Sequence, residues 1–168
     1  KNIKLIHGVG INNNKFDFEM SDQDKILLRK EIGVNENDFV IIYAAELIKR
    51  KNQTMVINAI KKLVEKYDNI KLILPGKDTI NGEYQKLVKE LSLEENIKFL
   101  GYRNDIPQLM KISDLSVSAA RFEGIPVNVL EALYIKLPLV VTNCRGNRDL
   151  VHDGENGYVV EIDNVDEM

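Results

Sequence analysis

Short apolar runs rich in β-branched residues recur along the chain, each followed by a segment whose apolar positions return at helical spacing. The runs are Phe39–Ala44, Ile70–Leu74, Ile97–Leu100, Leu115–Ala119, Leu137–Thr142 and Tyr158–Ile162. Helical patterns fill the intervals at 52–66, 79–91, 105–112, 126–136 and 146–152. In the first, Met55, Ile57, Ala59, Ile60, Leu63 and Val64 form an apolar stripe with lysines opposite. Tyr84, Leu87, Val88 and Leu91 do the same in the second. Continuously apolar strands need burial on both faces, as in a parallel sheet covered by helices. Strand and helix alternating in this way predict an α/β fold: a doubly wound, Rossmann-like parallel sheet of about six strands with helices on both faces.

The first 36 residues follow this rhythm less closely. Ile3–Ile6 reads as a strand, Asn12-Asn13-Asn14 as a turn or linker, and Ser21–Glu31 as a helix. Ser21 caps that helix, with Asp24 three residues on. Ligands bind open α/β sheets outside the carboxyl ends of the strands. The loops to search are therefore Ala45–Asn52, Pro75–Asp78, Gly101–Asp105, Ala120–Pro126 and Asn143–Asn147.

Composition narrows the function classes. The 168 residues suit one ordinary domain, with 44% hydrophobic and 29% charged residues. A net charge of −3 gives no electrostatic case for nucleic acid or an anionic membrane surface. Cys144 stands alone, so no internal disulfide forms, and a reducing compartment fits. No apolar run approaches the ~20 residues that span a bilayer. Lys1 follows no initiator methionine, and the chain stops after a strand-like segment, so it reads as a piece of something longer.

The most telling stretch is Arg121-Phe122-Glu123-Gly124-Ile125-Pro126-Val127-Asn128-Val129-Leu130-Glu131-Ala132-Leu133. Proline costs nothing at a first helical turn, where its missing N–H would be unpaired. Such a helix start presents free amides and the positive end of its dipole, which suit a phosphate. Glu123 stands at the mouth and Glu131 two turns in, with seven residues between them. Ionised carboxylates only accept hydrogen bonds, and sugars are dense in hydroxyl donors. Phosphate at the amides and hydroxyls at the glutamates point to a nucleotide-sugar. Read blandly, Glu123 is a loop carboxylate and Glu131 an exposed helix position. Against that, Val129, Leu130, Ala132 and Leu133 flank Glu131 and exclude water, and a buried carboxylate needs partners.

Lys49-Arg50-Lys51 follows the first strong strand and precedes a helix start, where the dipole disfavours cations. Alone it reads as a solvated loop. Beside Gly124–Pro126 on the same sheet edge it reads as a phosphate site. Other motifs carry less. His7-Gly8-Val9-Gly10 lacks the third glycine of a dinucleotide loop, and His7 and His152 read as structural or surface residues. Asp22-Gln23-Asp24 reads as helix capping, Cys144 has no local histidine partner, and no His/Cys cluster suits a metal.

The chain resembles the C-terminal, donor-binding half of a retaining glycosyltransferase of the group 1 class (family 4), with the GT-B fold, from about His7 to Val160. The Glu-x7-Glu motif of Glu123 and Glu131 is the most specific element. Ser113-Asp114-Leu115, Leu137–Thr142 and Leu150–Tyr158 support it. Thr142–Leu150 and Glu46–Asn52 are similar to the branch that builds bacterial capsular polysaccharides and exopolysaccharides. The resemblance implies an interdomain linker or edge segment over 1–20 and a nucleotide-sugar-binding Rossmann-like domain over 21–168, cut at both ends, with the N-terminal acceptor domain absent. It implies Lys51 and Glu123 as catalytic residues, Lys51 on the donor diphosphate and Glu123 orienting sugar hydroxyls. Amides of Gly124, Ile125, Pro126 and Val127 would border the diphosphate and donor sugar, although Pro126 has no N–H. Glu131 would grip the ribose, and backbone over Gly101, Tyr102 and Arg103 would meet the base. No cofactor and no metal are implied. A UDP-sugar is expected ahead of a GDP-sugar, with a saccharide or lipid-linked acceptor, a cytoplasmic setting, and any membrane association through the absent half.

Two positions depart from that pattern. Glu46 stands where many members carry an arginine, behind Ala45 in place of glycine, and Ala120 where serine is common. A carboxylate cannot stabilise a leaving phosphate, so Arg145 or Arg148 is the expected substitute. The rival readings are a GT-B-type nucleotide-sugar epimerase, for which no acid/base pair is evident, a non-catalytic nucleotide-sugar-binding module, and a generic α/β interaction domain. A response-regulator receiver would need an acidic pocket, where this chain has a basic loop.

Overall fold

The computed structural model describes residues 10–168. Six parallel strands form one sheet: β1 (Phe39–Ile42), β2 (Ile70–Pro75), β3 (Ile97–Gly101), β4 (Leu115–Ser118), β5 (Leu139–Thr142) and β6 (Tyr158–Val160). Their order across the sheet is β3-β2-β1-β4-β5-β6, so it reverses between β1 and β4. A ligand crevice belongs at the carboxyl ends of those neighbours, because their connections leave toward opposite faces. The helices are α1 (Asp22–Glu31), α2 (Gln53–Val64), α3 (Glu83–Glu90), α4 (Ile106–Lys111), α5 (Val127–Tyr134) and α6 (Arg145–Arg148). The Rossmann-like architecture is the one the sequence predicts.

Alternation along β1 shows the two buried faces. Ile41 packs with Met55, Ile57 and Ile60 of α2 and with Tyr84 and Val88 of α3. Val40 and Ile42 face Leu109 and Met110 of α4 and Val129 and Ala132 of α5. Phe16 joins the second face and meets the Tyr134 ring edge-on at 6.1 Å, so part of the segment before α1 is core. The expected strand at Ile3–Ile6 and the motif residues His7–Val9 lie outside the described residues.

Local chemistry sets the element ends. The Ser21 hydroxyl accepts the Asp24 amide at 3.1 Å and starts α1 as expected. Helix α3 begins later than the pattern suggests, at Glu83. The Asp78 carboxylate takes the amides of Ile80 and Gly82 at 2.8 and 2.9 Å, and Asn81 and Gly82 hold positive φ. Helix α6 is only four residues long, shorter than the expected 146–152. The His152 amide turns to the Asn156 side chain at 2.7 Å instead of continuing the helix. Asn12–Asn14 contributes to a single 3₁₀ turn, Asn13–Lys15.

Candidate functional site

A cavity of about 490 Å³ opens at the carboxyl edge of the sheet, beside the β1/β4 switch point. It is bounded by the loops after β1, β2 and β3 and by the start of α5. A larger cavity of about 630 Å³ lies around Phe16, Lys111 and Tyr134 at the opposite edge. Chemistry, more than size, distinguishes the two, because the first gathers the charged residues singled out in the sequence.

The basic loop is a 3₁₀ turn, Lys49–Lys51, followed by Asn52 in the left-handed region at φ 57°. Its backbone is held from below and behind. The Tyr43 hydroxyl donates to the Lys51 carbonyl at 2.7 Å, and burial pushes that phenol far above its ordinary pKa. The buried Asn52 side chain donates to Asp163 at 2.9 Å. Arg121 binds the same carboxylate at 2.8 Å and donates to the Lys49 carbonyl at 3.0 Å. Hydrogen bonding from Arg121 holds the Asp163 carboxyl below its usual range.

Glu123 faces this loop from the β4–α5 connection, with only 8% of its side chain exposed. The Arg50 guanidinium reaches it at 3.0 Å, and the Lys51 ammonium contacts the same oxygen. The two residues named as catalytic on the sequence are thus brought into direct contact. A hydroxyl-bearing ligand would insert between them, accepting from the cation and donating to the carboxylate.

Helix α5 begins directly after Pro126, with no side chain capping it. The amides of Val127 and Asn128 precede the first residues with an acceptor inside the helix, so they remain available to a ligand. Ile125, Pro126 and Val127 line the cavity, whereas Gly124 lies behind the wall, against Gly146. Glu131 lines the cavity one turn further in. Burial raises its carboxyl pKa above the usual range, while Lys15 pulls in the other direction.

Tyr102 and Arg103 form the far wall. Arg103 is fixed by a two-pronged contact to Asp105, at 2.8 and 2.6 Å, and by Glu31 at 2.8 Å. These bonds raise its own pKa and lower that of Asp105. Gly101 (φ 64°) does not line the cavity, but its carbonyl receives the Gly76 amide at 2.8 Å. Arg145 and Arg148 are not brought to the cavity. Arg145 turns to Asp149 at 3.8 Å, with 85% of its side chain exposed, and Arg148 turns to Asn143.

Several cleft residues went unnamed in the sequence. A Cβ on Gly76 would lie 1.9 Å from the Ala45 carbonyl oxygen, and one on Gly146 would lie 2.3 Å from that of Gly124. These two glycines let neighbouring loops close on each other. Lys77 lines the cavity from the Pro75–Asp78 loop, and Asn128 lines it with its side-chain N–H donors buried and unpartnered. Gly76 following a strand-end proline was the one local signal available. No group of three His, Cys, Asp or Glu suited to a metal occurs among the described residues. No helix among them is long and apolar enough to cross a membrane.

Comparison with known proteins assigns the chain to a family. The family described as glycosyl transferases group 1 matches residues 24–168. A putative glycosyltransferase, EpsD of Bacillus subtilis, is 36% identical over 94% of this chain and 41% of its own length. The UDP-Gal:alpha-D-GlcNAc-diphosphoundecaprenol alpha-1,3-galactosyltransferase of Escherichia coli is 30% identical over 94% of this chain and 41% of its own length. The crystal structure of Anabaena Alr3699/HepE in complex with UDP and glucose superposes with a TM-score of 0.84 at 29% identity, covering 94% of this chain and 43% of that one. The chain thus spans about two-fifths of the length of these relatives. It belongs to the group 1 glycosyltransferases.

Proposed function

We propose that this domain holds the nucleotide-sugar donor of a glycosyltransferase that acts in polysaccharide synthesis with retention of anomeric configuration. One observation carries the reading: Lys51, Glu123, Glu131 and the uncapped start of α5 border one cavity. The amides of Val127 and Asn128 and the Lys51 ammonium would take the diphosphate. Glu123 would hold sugar hydroxyls, Glu131 the ribose, and the wall at Tyr102–Arg103 the base. The UDP and UDP-glucose complexes of HepE support UDP as the nucleotide. The diphosphoundecaprenol-linked substrate in the name of the E. coli relative supports a lipid-linked saccharide as acceptor.

In this mechanism the domain stabilises the departing nucleoside diphosphate electrostatically. Donors already fixed where charge develops need no reorganisation during the reaction. Tyr43, Asn52 and Arg121 supply that fixation for the Lys51 loop. The proposal includes transfer without a metal or cofactor, an acceptor bound chiefly by another domain, and a cytoplasmic setting.

Calorimetric titration with UDP, GDP and ADP, with and without Mg²⁺, tests it. Saturable binding of one nucleotide without metal is expected, weakened by Lys51→Ala and by Glu131→Ala. A folded chain that binds none of the three overturns the reading. One observation favours a second reading, a donor-binding module without catalysis: Glu46 lines the same cavity and repels phosphate. Transfer by the complete protein to a saccharide acceptor would eliminate it.

A further inference from the structure

Charge in the cleft is unevenly committed. A nucleoside diphosphate sugar carries a negative charge on each phosphate, and the cavity that would receive it already contains Glu46, Glu123 and Glu131. Of the cations around it, Lys51 and Arg50 both contact Glu123, and Arg103 is held by Asp105 and Glu31. Arg145 and Arg148 point elsewhere. Lys77 is the one cavity-lining cation with no carboxylate partner among the described residues.

Its position follows from strand register. The register that pairs Phe39 with Ile70 in β1 and β2 still pairs Leu47 with Asp78 beyond the strand ends. The ladder is continuous: the amides of Tyr43, Ala45 and Leu47 donate in turn to the carbonyls of Ile73, Pro75 and Lys77, at 3.1, 3.1 and 2.9 Å. Glu46 therefore stands beside Lys77, and paired positions of a parallel ladder share a face. The approach of the two loops depends on Gly76, which has no room for a Cβ beneath Ala45. Both residues line the cavity, yet no ion pair joins them among the described residues. Lys77 is an exposed residue, and its charge has no ion-pair partner among the described residues.

We propose that Lys77 is a donor-binding residue whose ammonium contacts the diphosphate and offsets the repulsion of the adjacent Glu46 carboxylate. This inference rests on the donor-binding reading above. It assigns to the loop after β2 the second cationic contact that the sequence suggested for the loop after β5.

The test is calorimetric titration of wild type, Lys77→Met, Lys77→Arg and Glu46→Gln with UDP, or with GDP if that is the nucleotide bound. Thermal melts confirm that each variant is folded. Lys77→Met is expected to weaken UDP binding about tenfold at low salt, the size of one charge-assisted contact. Lys77→Arg should stay within about threefold of wild type, because it restores the charge. Glu46→Gln should tighten binding about threefold by removing a like charge. The deficit of Lys77→Met should shrink in about 0.5 M KCl, where exposed charges are screened. A folded Lys77→Met chain with wild-type UDP affinity overturns the inference, as does a deficit that salt leaves untouched. So does loss of affinity in the Arg145→Ala/Arg148→Ala double variant when Lys77→Met shows none. A wild-type chain that binds no nucleotide overturns the donor-binding reading itself and the inference with it.

Discussion

The two ends of the sheet solve opposite problems. At the amino end, polar groups are satisfied within the protein. Arg29 donates to the carbonyls of Asn35, Glu36, Asp38 and Ile112 at 2.8–3.1 Å and reaches the Asp114 carboxylate at 3.3 Å. Asp114 also receives the Val40 amide at 2.8 Å. At the carboxyl end, Asn128 has buried, unpaired donors, Lys77 has no carboxylate partner among the described residues, Glu131 is desolvated and α5 has no cap. Buried polar groups without partners cost stability. The difference teaches that one edge satisfies its own polar groups, whereas the other leaves several open, as the proposed donor-binding role requires.

The largest test of that contrast is Lys51→Ala in the complete protein, on the proposed transferase activity. Turnover at saturating donor should fall ~10²-fold or more, as for loss of one fixed donor at a developing charge. A rate within a few-fold of wild type would remove Lys51 from the mechanism. Gly76→Ala comes next and attacks the geometry that lets the carboxyl-end loops meet. A Cβ 1.9 Å from the Ala45 oxygen forces the loops apart, and urea unfolding should show a loss of about 3 kcal/mol. Arg29→Ala strikes the satisfied end. It should cost about 2 kcal/mol in the same assay, because several carbonyls lose a shared charged donor, yet leave nucleotide affinity unchanged. If affinity falls in step with stability, the two edges are not separable.

The smallest effect carries an inverted sign. Burial raises the folded Glu131 pKa above its ordinary value, so its favourable contribution is full below the unfolded pKa and lost as pH rises through the folded one. Above the unfolded pKa, the desolvated carboxyl is therefore a burden in the empty site. Glu131→Gln should raise the melting temperature by about 1–2 °C at pH 7. The gain should fade below about pH 4.3, where the wild-type carboxyl is protonated in the unfolded chain as well. The same variant should bind UDP more weakly. A lower melting temperature at pH 7 would mean that the carboxylate already has partners without a ligand.

Much of the fold was legible because the periodicities that encode it are local. The apolar runs that become β1 to β6 are continuous, and the stripe of Met55, Ile57 and Ile60 on α2 returns at helical spacing. The Glu-Gly-Ile-Pro run marks its own helix start. What misled was side-chain competition for backbone amides: Asp78 delays α3, and Asn156 cuts α6 short. Neither event alters the apolar pattern, so neither is visible in it.

The site divides in the same way. Lys51, Glu123 and Glu131 were readable because each lies within a few residues of a helix start whose physics is local. The contact of Lys51 and Arg50 with Glu123, the tether from Asp163 to Asn52, and the exclusion of Arg145 and Arg148 join residues far apart in sequence. Lys77 enters the cleft through the register of β1 on β2, which no single segment specifies. The sequence by itself determined the parallel α/β architecture, the sheet edge that carries the loops and the glutamates at its centre, because apolar spacing and helix-start chemistry act over a few residues. Tertiary structure decided which cations face the cavity, because that depends on how neighbouring strands are registered and how closely glycines such as Gly76 and Gly146 let their loops approach.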